Sequence, residues 1–323
     1  TSPHLLKYNE RYAIDGEDVS DEVIINAFEL IEAKREDIKL TYFEFSTLAA
    51  FIIFEKAEVD IAILEVGLGG RLDSVNVVDS DVSIITNIAI DHTDYLGDTR
   101  EAIGREKAGV MRGSRPCICG DQDPPQSLLA YAKEIGTDIT FVRKAYEDDI
   151  GLEGDHQRLN AAVAIQAVES LKEQLPISLS MIIQGVKSAT IKARFEKIEI
   201  GEKTIILDVA HNPAAVKTLV DTLSKSSMQT VAIFSALIDK DIIEMVDLAS
   251  NAIKHWYLVP LTAERAIESD ALKNKFSNPE STTICQDMNS AIQESLAYKE
   301  AERIVIFGSF YTIADASIII NEL

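Results

Sequence analysis

Three polar loops hold the side chains of this sequence that could do chemistry, and each loop follows a run of apolar residues. The loops cover residues 65–73, 91–97 and 208–213, and they follow the runs 59–64, 81–90 and 203–207. Continuous apolar runs of this kind are typical of parallel strands that are covered on both faces. Because parallel α/β sheets bind ligands at the carboxyl ends of their strands, we expect these loops to form binding or catalytic sites.

The chemistry available in these loops is that of a carboxylate, an imidazole and a glycine-rich turn. Glu65 closes an apolar run, so its carboxylate needs a cation or a hydrogen-bond donor if it is buried, and Mg²⁺ is a suitable cation. The glycines within residues 67–70 fit either a tight turn or a phosphate-binding loop. His92 fits either a ligand or a hydrogen-bonded core histidine. Lys107, on a predicted helix, is by itself typical of a solvated lysine.

Alternating strand and helix patterns position these loops along almost the whole chain. The first alternation contains the predicted strands 59–64 and 81–90 and ends in a long predicted helix at 157–174. A connector at 176–194 precedes a second alternation, which opens with a predicted hairpin at Gly201 and Glu202. Strand–helix alternation is typical of parallel sheets with right-handed crossovers. The sequence therefore predicts two stacked α/β domains, residues 1–190 and 191–323.

Composition excludes several classes of protein. The chain has 323 residues, 46% of them hydrophobic, and a formal net charge of −22. An acidic surface repels phosphate backbones and the sequence shows no local basic patch, so a general nucleic-acid binder is disfavoured. The longest apolar run, residues 48–54, is far shorter than the roughly 18 residues of a membrane helix. Three cysteines, at 117, 119 and 285, fit neither a disulfide framework nor a zinc site and are expected to be reduced cytoplasmic thiols.

Seven motifs occur in order along the chain, and together they resemble one enzyme family. They are TSPHL at 1–5, LTYFE at 40–44, EVGLGGRLD at 65–73, DHTDYLG at 91–97, REKAG at 105–109, HQRLNAA at 156–162 and DVAHNP at 208–213. The set closely resembles the dihydrofolate synthase/folylpolyglutamate synthase branch of the Mur ligases, over nearly the whole chain. The third and seventh motifs together are specific to that branch.

The resemblance implies a Mur-ligase-like α/β fold, with a P-loop-type central domain that lacks its first βα element and a smaller Rossmann-like C-terminal domain. In this family ATP phosphorylates a carboxylate, and the amino group of L-glutamate then displaces phosphate from the acyl phosphate. The implied activity is therefore ligation of L-glutamate to dihydropteroate or folates. ATP and two Mg²⁺ ions are the implied cofactors, and a need for a monovalent cation stays open. The implied protein is a cytoplasmic monomer with small-molecule substrates and no nucleic-acid or membrane partner.

The resemblance also assigns roles to residues of this chain. It implies Mg²⁺ ligation by Ser2, Glu65, His92 and, once carbamylated, Lys107. Lys107 and His211 are the implied catalytic residues, and ATP contacts are implied for Asn160, Arg194 and Asp208. The segments that line the pterin-bearing substrate pocket are Thr41, Tyr42, Phe43 and Glu44 together with Leu72, Asp73 and Ser74. Because the substrates are anions in an acidic protein, Mg²⁺, Arg71 and Arg194 are expected to make the site locally positive.

Two family features are missing from the sequence. No G-x-x-x-x-G-K-[ST] phosphate loop occurs, and we expect it in an N-terminal segment that precedes Thr1. Residues 144–155 bridge a stretch where the family has some two dozen more residues. These gaps leave a second hypothesis open, in which the chain is a non-catalytic remnant that keeps the fold without holding ATP. A dinucleotide-binding module is disfavoured, because residues 67–70 lack the third glycine at the required offset.

Overall fold

The computed structural model describes residues 4–322, and Ser2 lies outside them. The chain divides into two compact units. The first extends through Tyr146 and also contains Leu159–Ile182, while the second contains Glu147–Arg158 and the chain from Ile183 onward. The sequence predicts a single boundary near residue 190, whereas the structure groups residues 147–158 and 183–190 with the second unit. These two stretches are joined to each other, since the Gly151 N–H donates to the carbonyl oxygen of Val186 at 3.0 Å.

The first unit contains a helical pair and a small parallel sheet. Its strands are β1 (Ala13–Ile14), β2 (Glu17–Asp18), β3 (Ser83–Ile85), β4 (Pro116–Cys119) and β5 (Asp138–Phe141), and its helices are α1 (Asp21–Arg35), α2 (Tyr42–Lys56), α3 (Thr93–Leu96), α4 (Arg100–Ala108) and α5 (Gln126–Ile135). Strands β3, β4 and β5 pair in parallel in that order, and β1 and β2 form an antiparallel hairpin. The helices α6 (Asp155–Ser170) and α7 (Leu179–Ser188) each contain residues of both units.

Local sequence explains where two of these helices begin. Ser20 accepts a hydrogen bond from the Val23 N–H at 3.4 Å ahead of α1, and Thr99 accepts one from Ala102 at 3.2 Å ahead of α4. Such side chains satisfy amide groups that have no partner inside the helix. The buried face of α4 then packs with α5 and the sheet, through a core that includes Ile103. Lys107 and Glu106 follow on the same helix, so this packing positions them.

The predicted strand at residues 59–64 is wrong for the part of the chain that the structure describes. Its residues form no strand and join no sheet, and Ile63 is 88% exposed. An apolar strand is stable only when neighbouring strands pair with it and helices cover its faces. The predicted strand at 81–90 is likewise reduced to β3, since only residues 83–85 pair with β4.

The second unit is a six-stranded sheet covered by helices. Its strands are β6 (Glu196–Ile200), β7 (Lys203–Leu207), β8 (Thr230–Phe234), β9 (His255–Leu258), β10 (Thr282–Ile284) and β11 (Arg303–Phe307), and its helices are α8 (Pro213–Leu223), α9 (Ile242–Ala249), α10 (Ser269–Lys273), α11 (Met288–Ala297) and α12 (Phe310–Ile320). The strand order is β10-β9-β8-β11-β7-β6. All neighbours are parallel except β6, which forms the predicted hairpin with β7 through Gly201.

The central strands of this sheet show why continuous apolar runs predict it well. Every residue of β8 and of β11 is buried, because helices cover both faces of the sheet. The prediction of two α/β units with mainly parallel sheets is therefore confirmed. Among the described residues, no helix combines the length and apolar character that crossing a bilayer requires.

Candidate active site

The glycine-rich loop that begins after Glu65 is organised by Asp73. One carboxylate oxygen of Asp73 accepts hydrogen bonds from the N–H groups of Gly67 and Leu68, each at 2.9 Å. The other oxygen accepts from Val75 at 2.9 Å and caps the 3₁₀ helix Ser74–Val77. Asp73, a predicted substrate contact, therefore has both oxygens on the backbone of its own loop. The tight-turn interpretation of residues 67–70 is favoured over a phosphate loop, because two of the N–H groups are already used.

Phe43 and Ser74 lie beside this loop, as the prediction of a shared substrate pocket requires. A Cβ atom on Gly67 would lie 2.7 Å from Cζ of Phe43, so the aromatic ring packs directly on the glycine backbone. The Thr47 hydroxyl donates to the Phe43 carbonyl oxygen at 2.9 Å and lies 2.9 Å from the Ser74 hydroxyl. Thr47 was not predicted as a site residue, and it ties the first turn of α2 to the 3₁₀ helix.

The other predicted substrate residues have different surroundings. Thr41 and Glu44 form a capping box at the start of α2, in which the Thr41 N–H donates to Glu44 at 2.7 Å and the Glu44 N–H donates to Thr41 at 3.2 Å. These hydrogen bonds lower the pKa of the Glu44 carboxyl group. Tyr42 is 62% exposed with the Arg11 guanidinium 5.3 Å from its ring centre, and Leu72 is 79% exposed. Thr41 and Glu44 are therefore engaged in starting the helix, while Tyr42 and Leu72 are open to a ligand.

Arg71 does not supply the free positive charge that the sequence predicts. Its guanidinium binds the carboxylate of Glu106 on α4, with Nη2 2.8 Å from Oε1. The two opposite charges offset each other locally, so Arg71 contributes little to attracting an anionic substrate. The pair instead joins the glycine-rich loop to the helix that carries Lys107.

Lys107 is half-buried on α4, unlike a solvated surface lysine. Burial lowers the pKa of its amine below the usual 10.5, because the ammonium form loses hydration, and the negative charge of Asp91 opposes this shift. A lowered pKa increases the fraction of neutral amine, which is the form that reacts with CO₂ to give a carbamate. The environment of Lys107 is therefore suited to the predicted modification.

His92 and Asp91 occupy the loop before α3. His92 adopts a left-handed backbone conformation with φ of +53°, which is unusual for a residue with a Cβ atom. The N–H of His92 donates to Asp91 at 2.8 Å, and the His92 ring nitrogen Nε2 lies 4.0 Å from the other Asp91 oxygen. Strained backbone of this kind clusters at functional sites.

The residues predicted to bind Mg²⁺ provide an incomplete set of ligands. Within the described residues, no three His, Cys, Asp or Glu side chains are grouped as a metal site would need. Magnesium usually takes one or two protein carboxylates and fills its other positions with water and substrate phosphates. Glu65 offers a carboxylate of the kind that such an open site uses, His92 offers an imidazole nitrogen, and a carbamate on Lys107 would add oxygen ligands. Ser2, the remaining predicted ligand, lies outside the described residues.

In the second unit, Asp208 holds the turn that carries Arg194. One Asp208 oxygen accepts from the N–H of Phe195 at 2.9 Å and the other from Ala210 at 2.8 Å. Burial raises the pKa of the Asp208 carboxyl group, while these hydrogen bonds and the charge of Arg194 oppose the shift. Ala193 and Phe195 have φ values of +58° and +51°, so the backbone is strained on both sides of the exposed Arg194.

His211 follows on the same loop, at the start of α8. Its Nδ1 lies 2.8 Å from the carbonyl oxygen of Val209, and because a carbonyl only accepts, Nδ1 carries the proton. Nε2 is then the ring nitrogen that can accept a proton. Asn212 caps α8 by accepting from Ala215 at 2.9 Å, and Asn160 lies on α6 in the first unit.

A polar group at the ends of β8 and β11 was missed by the sequence analysis. Ser309 caps α12, and its hydroxyl lies 2.7 Å from that of Thr312. Gly308 has φ of +116°, and a Cβ atom there would lie 2.1 Å from the carbonyl oxygen of Ser235. The Ser235 hydroxyl is buried without a hydrogen-bond partner among the described residues. The signal was present, since Gly308 and Ser309 directly follow an apolar run, as the three predicted loops do.

Known proteins match this chain along its length. Residues 26–125 match the Mur ligase middle domain, and residues 193–310 match the Mur ligase glutamate ligase domain. The dihydrofolate synthase/folylpolyglutamate synthase of Escherichia coli is 34% identical over an alignment of 340 positions, which spans 99% of this chain and 79% of that protein. The chain belongs to the dihydrofolate synthase/folylpolyglutamate synthase family. A Buchnera aphidicola protein of the same name is 36% identical, over 98% of this chain and 80% of its own length.

Solved structures of this family agree with the fold. The structure described as E. coli FolC in complex with DHPP and ADP has a TM-score of 0.92 at 33% identity, and the match covers 100% of this chain and 81% of that one. A Mn-, AMPPNP- and L-glutamate-bound bifunctional folylpolyglutamate synthase/dihydrofolate synthase has a TM-score of 0.89 at 38% identity, over 99% and 82% of the two chains. The predicted Mur-ligase-like fold and ATP-dependent ligase class are confirmed, while the roles of individual residues stay predictions.

Proposed function

We propose that this protein joins L-glutamate to dihydropteroate, to folates or to both, by way of an acyl phosphate. Support comes from relatives that carry these activities in their names and from family structures described with DHPP, ADP, AMPPNP and L-glutamate. The observation in this chain that carries the proposal is the pairing of half-buried Lys107 with a loop packed under Phe43. This arrangement provides a modifiable lysine and an aromatic ring for a flat heterocycle in one unit.

In the first step, a carboxylate oxygen of the pterin-bearing substrate attacks the γ-phosphorus of ATP, and ADP leaves. The reaction needs positioning and charge neutralisation more than a protein nucleophile. Glu65, His92 and carbamylated Lys107 would hold Mg²⁺, which would supply positive charge to the phosphate oxygens. Arg194 contacts the phosphates, Asn160 and Asp208 help to hold the nucleotide, and Asp208 also holds the strained turn from which Arg194 projects.

In the second step, the amino group of L-glutamate attacks the acyl carbon, the amide bond forms and phosphate leaves. The nitrogen must lose a proton, and we assign its acceptance to Nε2 of His211, because Nδ1 donates to the Val209 carbonyl oxygen. The N-termini of α8 and α12 lie in the same unit as His211. A helix N-terminus favours anions, and the carboxylates of glutamate are anions. Ser309 and the Ser235 hydroxyl, which has no hydrogen-bond partner among the described residues, are further candidates for contacts to glutamate.

The first test measures glutamate-dependent phosphate release by the full-length protein. ATP and L-glutamate are supplied with dihydropteroate in one reaction and with a reduced folate in another, which also separates the two substrate classes. Replacing Lys107 with Met should abolish release, because Met cannot form a carbamate. Replacing the exposed Lys133 of α5 with Met should leave it unchanged. No release with either acceptor would refute the proposal and favour the non-catalytic remnant.

A second test addresses the acyl phosphate. When the acceptor carries ¹⁸O in its carboxyl group, the mechanism transfers one ¹⁸O atom to the released phosphate, because that oxygen forms the bond to phosphorus. Mass spectrometry of the phosphate measures the transfer. Phosphate without ¹⁸O, despite amide formation, would contradict the acyl-phosphate step while leaving the ligase activity intact.

A further inference from the structure

The ion pair between Arg71 and Glu106 joins the glycine-rich loop to α4 through side-chain and backbone contacts of the same residue. Nε of Arg71 lies 3.1 and 3.2 Å from the two Glu106 oxygens, and Nη2 lies 2.8 Å from Oε1. The backbone N–H of Arg71 also donates to the backbone carbonyl oxygen of Glu106 at 2.9 Å. Side chain and backbone of the same residue therefore both hold the helix α4. Forked contacts of this kind fix orientation as well as distance.

Two glycines bring the loop and the helix into direct backbone contact. A Cβ atom on Gly109 would lie 2.4 Å from Cβ of Arg71, and one on Gly70 would lie 2.9 Å from the carbonyl oxygen of Glu106. A Cβ on Gly70 would also approach the Lys107 carbonyl oxygen at 3.1 Å. Because neither glycine has room for a side chain, the helix turn that carries Lys107 rests on the loop that begins at Glu65.

From this geometry we infer that Arg71 is a positioning residue, which through Glu106 sets the place of Lys107 relative to Glu65. The inference rests on the proposed function, because it concerns the lysine that this function carbamylates. Arg71 touches neither substrate nor cation in this role. It acts through its partner, as residues that orient the ligands of a metal commonly do.

The contribution of the Arg71–Glu106 ion pair to folding stability is too small to explain its geometry. The Arg71 and Glu106 side chains are 45% and 23% exposed, and pairs this exposed contribute about 0–1 kcal/mol because water and salt screen them. The fork adds directional constraint, and the constrained helix turn is the one that carries Lys107. Loss of the pair should therefore change cation binding and carbamate formation much more than folding.

The experiment compares Arg71→Gln, Arg71→Lys and a charge swap, Arg71→Glu with Glu106→Arg, in the full-length protein. Mn²⁺ binding is measured by calorimetry in bicarbonate buffer, and the carbamate on Lys107 by ¹³C NMR after addition of ¹³CO₂. Arg71→Gln should raise the Mn²⁺ concentration at half saturation about 10- to 100-fold and lower the carbamate signal. Arg71→Lys, which keeps the charge without the fork, should shift both in the same direction by less. The swap should return binding to within about threefold of wild type.

The matched control is Arg115→Gln, which breaks an exposed ion pair to Asp81 in the same unit. It should leave Mn²⁺ binding and carbamate formation unchanged. Wild-type binding in Arg71→Gln and Arg71→Lys, with the wild-type carbamate signal, would overturn the inference without affecting the proposed function. A wild-type protein that shows neither Mn²⁺ binding nor carbamate would instead contradict the proposed role of Lys107. Far-UV circular dichroism checks folding, and the charge swap remains decisive if Arg71→Gln unfolds.

Discussion

Replacing Asp73 with Asn should loosen the glycine-rich loop rather than remove a substrate contact. The carboxylate accepts three backbone hydrogen bonds at 2.9 Å, two on one oxygen and one on the other. An amide side chain has one oxygen and one NH₂ group, so it can accept at one end only. At the other end, two donors would face each other, and at least one loop N–H would lose its partner.

The expected cost follows from the hydrogen bonds that the substitution removes. Removing one hydrogen bond to a charged acceptor costs about 1–3 kcal/mol, towards the lower end here because water reaches the loop. Local opening then becomes more frequent, and amide exchange in residues 66–75 should accelerate about 5- to 30-fold, which corresponds to about 1–2 kcal/mol. Asp73→Ala removes the acceptor of all three hydrogen bonds and should accelerate exchange further.

Hydrogen–deuterium exchange with mass spectrometry measures this on peptides that cover the loop. Asp81→Asn serves as the control, because its carboxylate is 82% exposed and pairs with the Arg115 side chain instead of with loop N–H groups. The reasoning would be refuted if Asp73→Asn left exchange in residues 66–75 at the wild-type rate and raised only the KM for the pterin-bearing substrate. That result would mean that the carboxylate faces the ligand instead of its own loop.

Three further changes test other parts of the structure. Gly308→Ala should destabilise the second unit by about 3 kcal/mol, because its Cβ would strike a backbone carbonyl at 2.1 Å, and urea unfolding followed by Trp256 fluorescence measures this. Partial loss of hydration, reinforced by the positive charge of Arg194, lowers the pKa of the solvent-exposed His156 below 6.5, so its contribution to stability is complete above pH 6.5 and is lost as pH falls through the lower folded value. His156→Gln should therefore differ most from wild type above pH 6.5. Arg194→Ala should weaken ATP binding by calorimetry at unchanged stability, since its side chain is exposed.

A different experimental result would contradict each of these three predictions. Gly201 also has a positive φ but no atom within 4 Å of its missing Cβ, so Gly201→Ala should cost only about 1 kcal/mol, and an equal cost at both glycines would contradict the steric argument. A difference between wild type and His156→Gln that does not change between pH 5 and 7.5 would contradict the lowered pKa of the imidazole. Equal losses of stability and ATP affinity in Arg194→Ala would assign that residue a structural role.

Apolar runs predict the strands of the second unit well, because these strands pair with one another within the described residues. Both faces of β8 and β11 are covered by helices of the same unit, so their sequences and surroundings agree. The run at 59–64 has a similar apolar character, yet it joins no sheet in the described residues. An apolar composition indicates that a segment is suited to form a buried strand. Whether it pairs depends on neighbouring strands, about which a local sequence pattern carries no information.

Local sequence likewise indicates which site residues belong together but not what each side chain contacts. A motif indicates that certain side chains belong together, but not whether a carboxylate faces a ligand or the backbone beside it. Asp73 and Glu44 both bond to nearby N–H groups, which their positions in a tight loop and at N3 of a helix explain. Lys107 shows the opposite case, since its helical position suggests solvent and its burial depends on packing that is remote in sequence.

The composition of the glycine-rich loop is explained by packing more fully than by anion binding. Three of its backbone N–H groups are engaged, two by Asp73 and that of Arg71 by the Glu106 carbonyl oxygen, so they cannot also bind phosphate. The glycines at 67 and 70 are needed where Phe43 and α4 approach the backbone. A loop that is held by Asp73, by the Phe43 ring and by α4 has little freedom to move. We therefore expect the loop to hold Glu65, the Phe43 ring and the helix turn of Lys107 in place, so that removing the Asp73 acceptor should increase the mobility of all three.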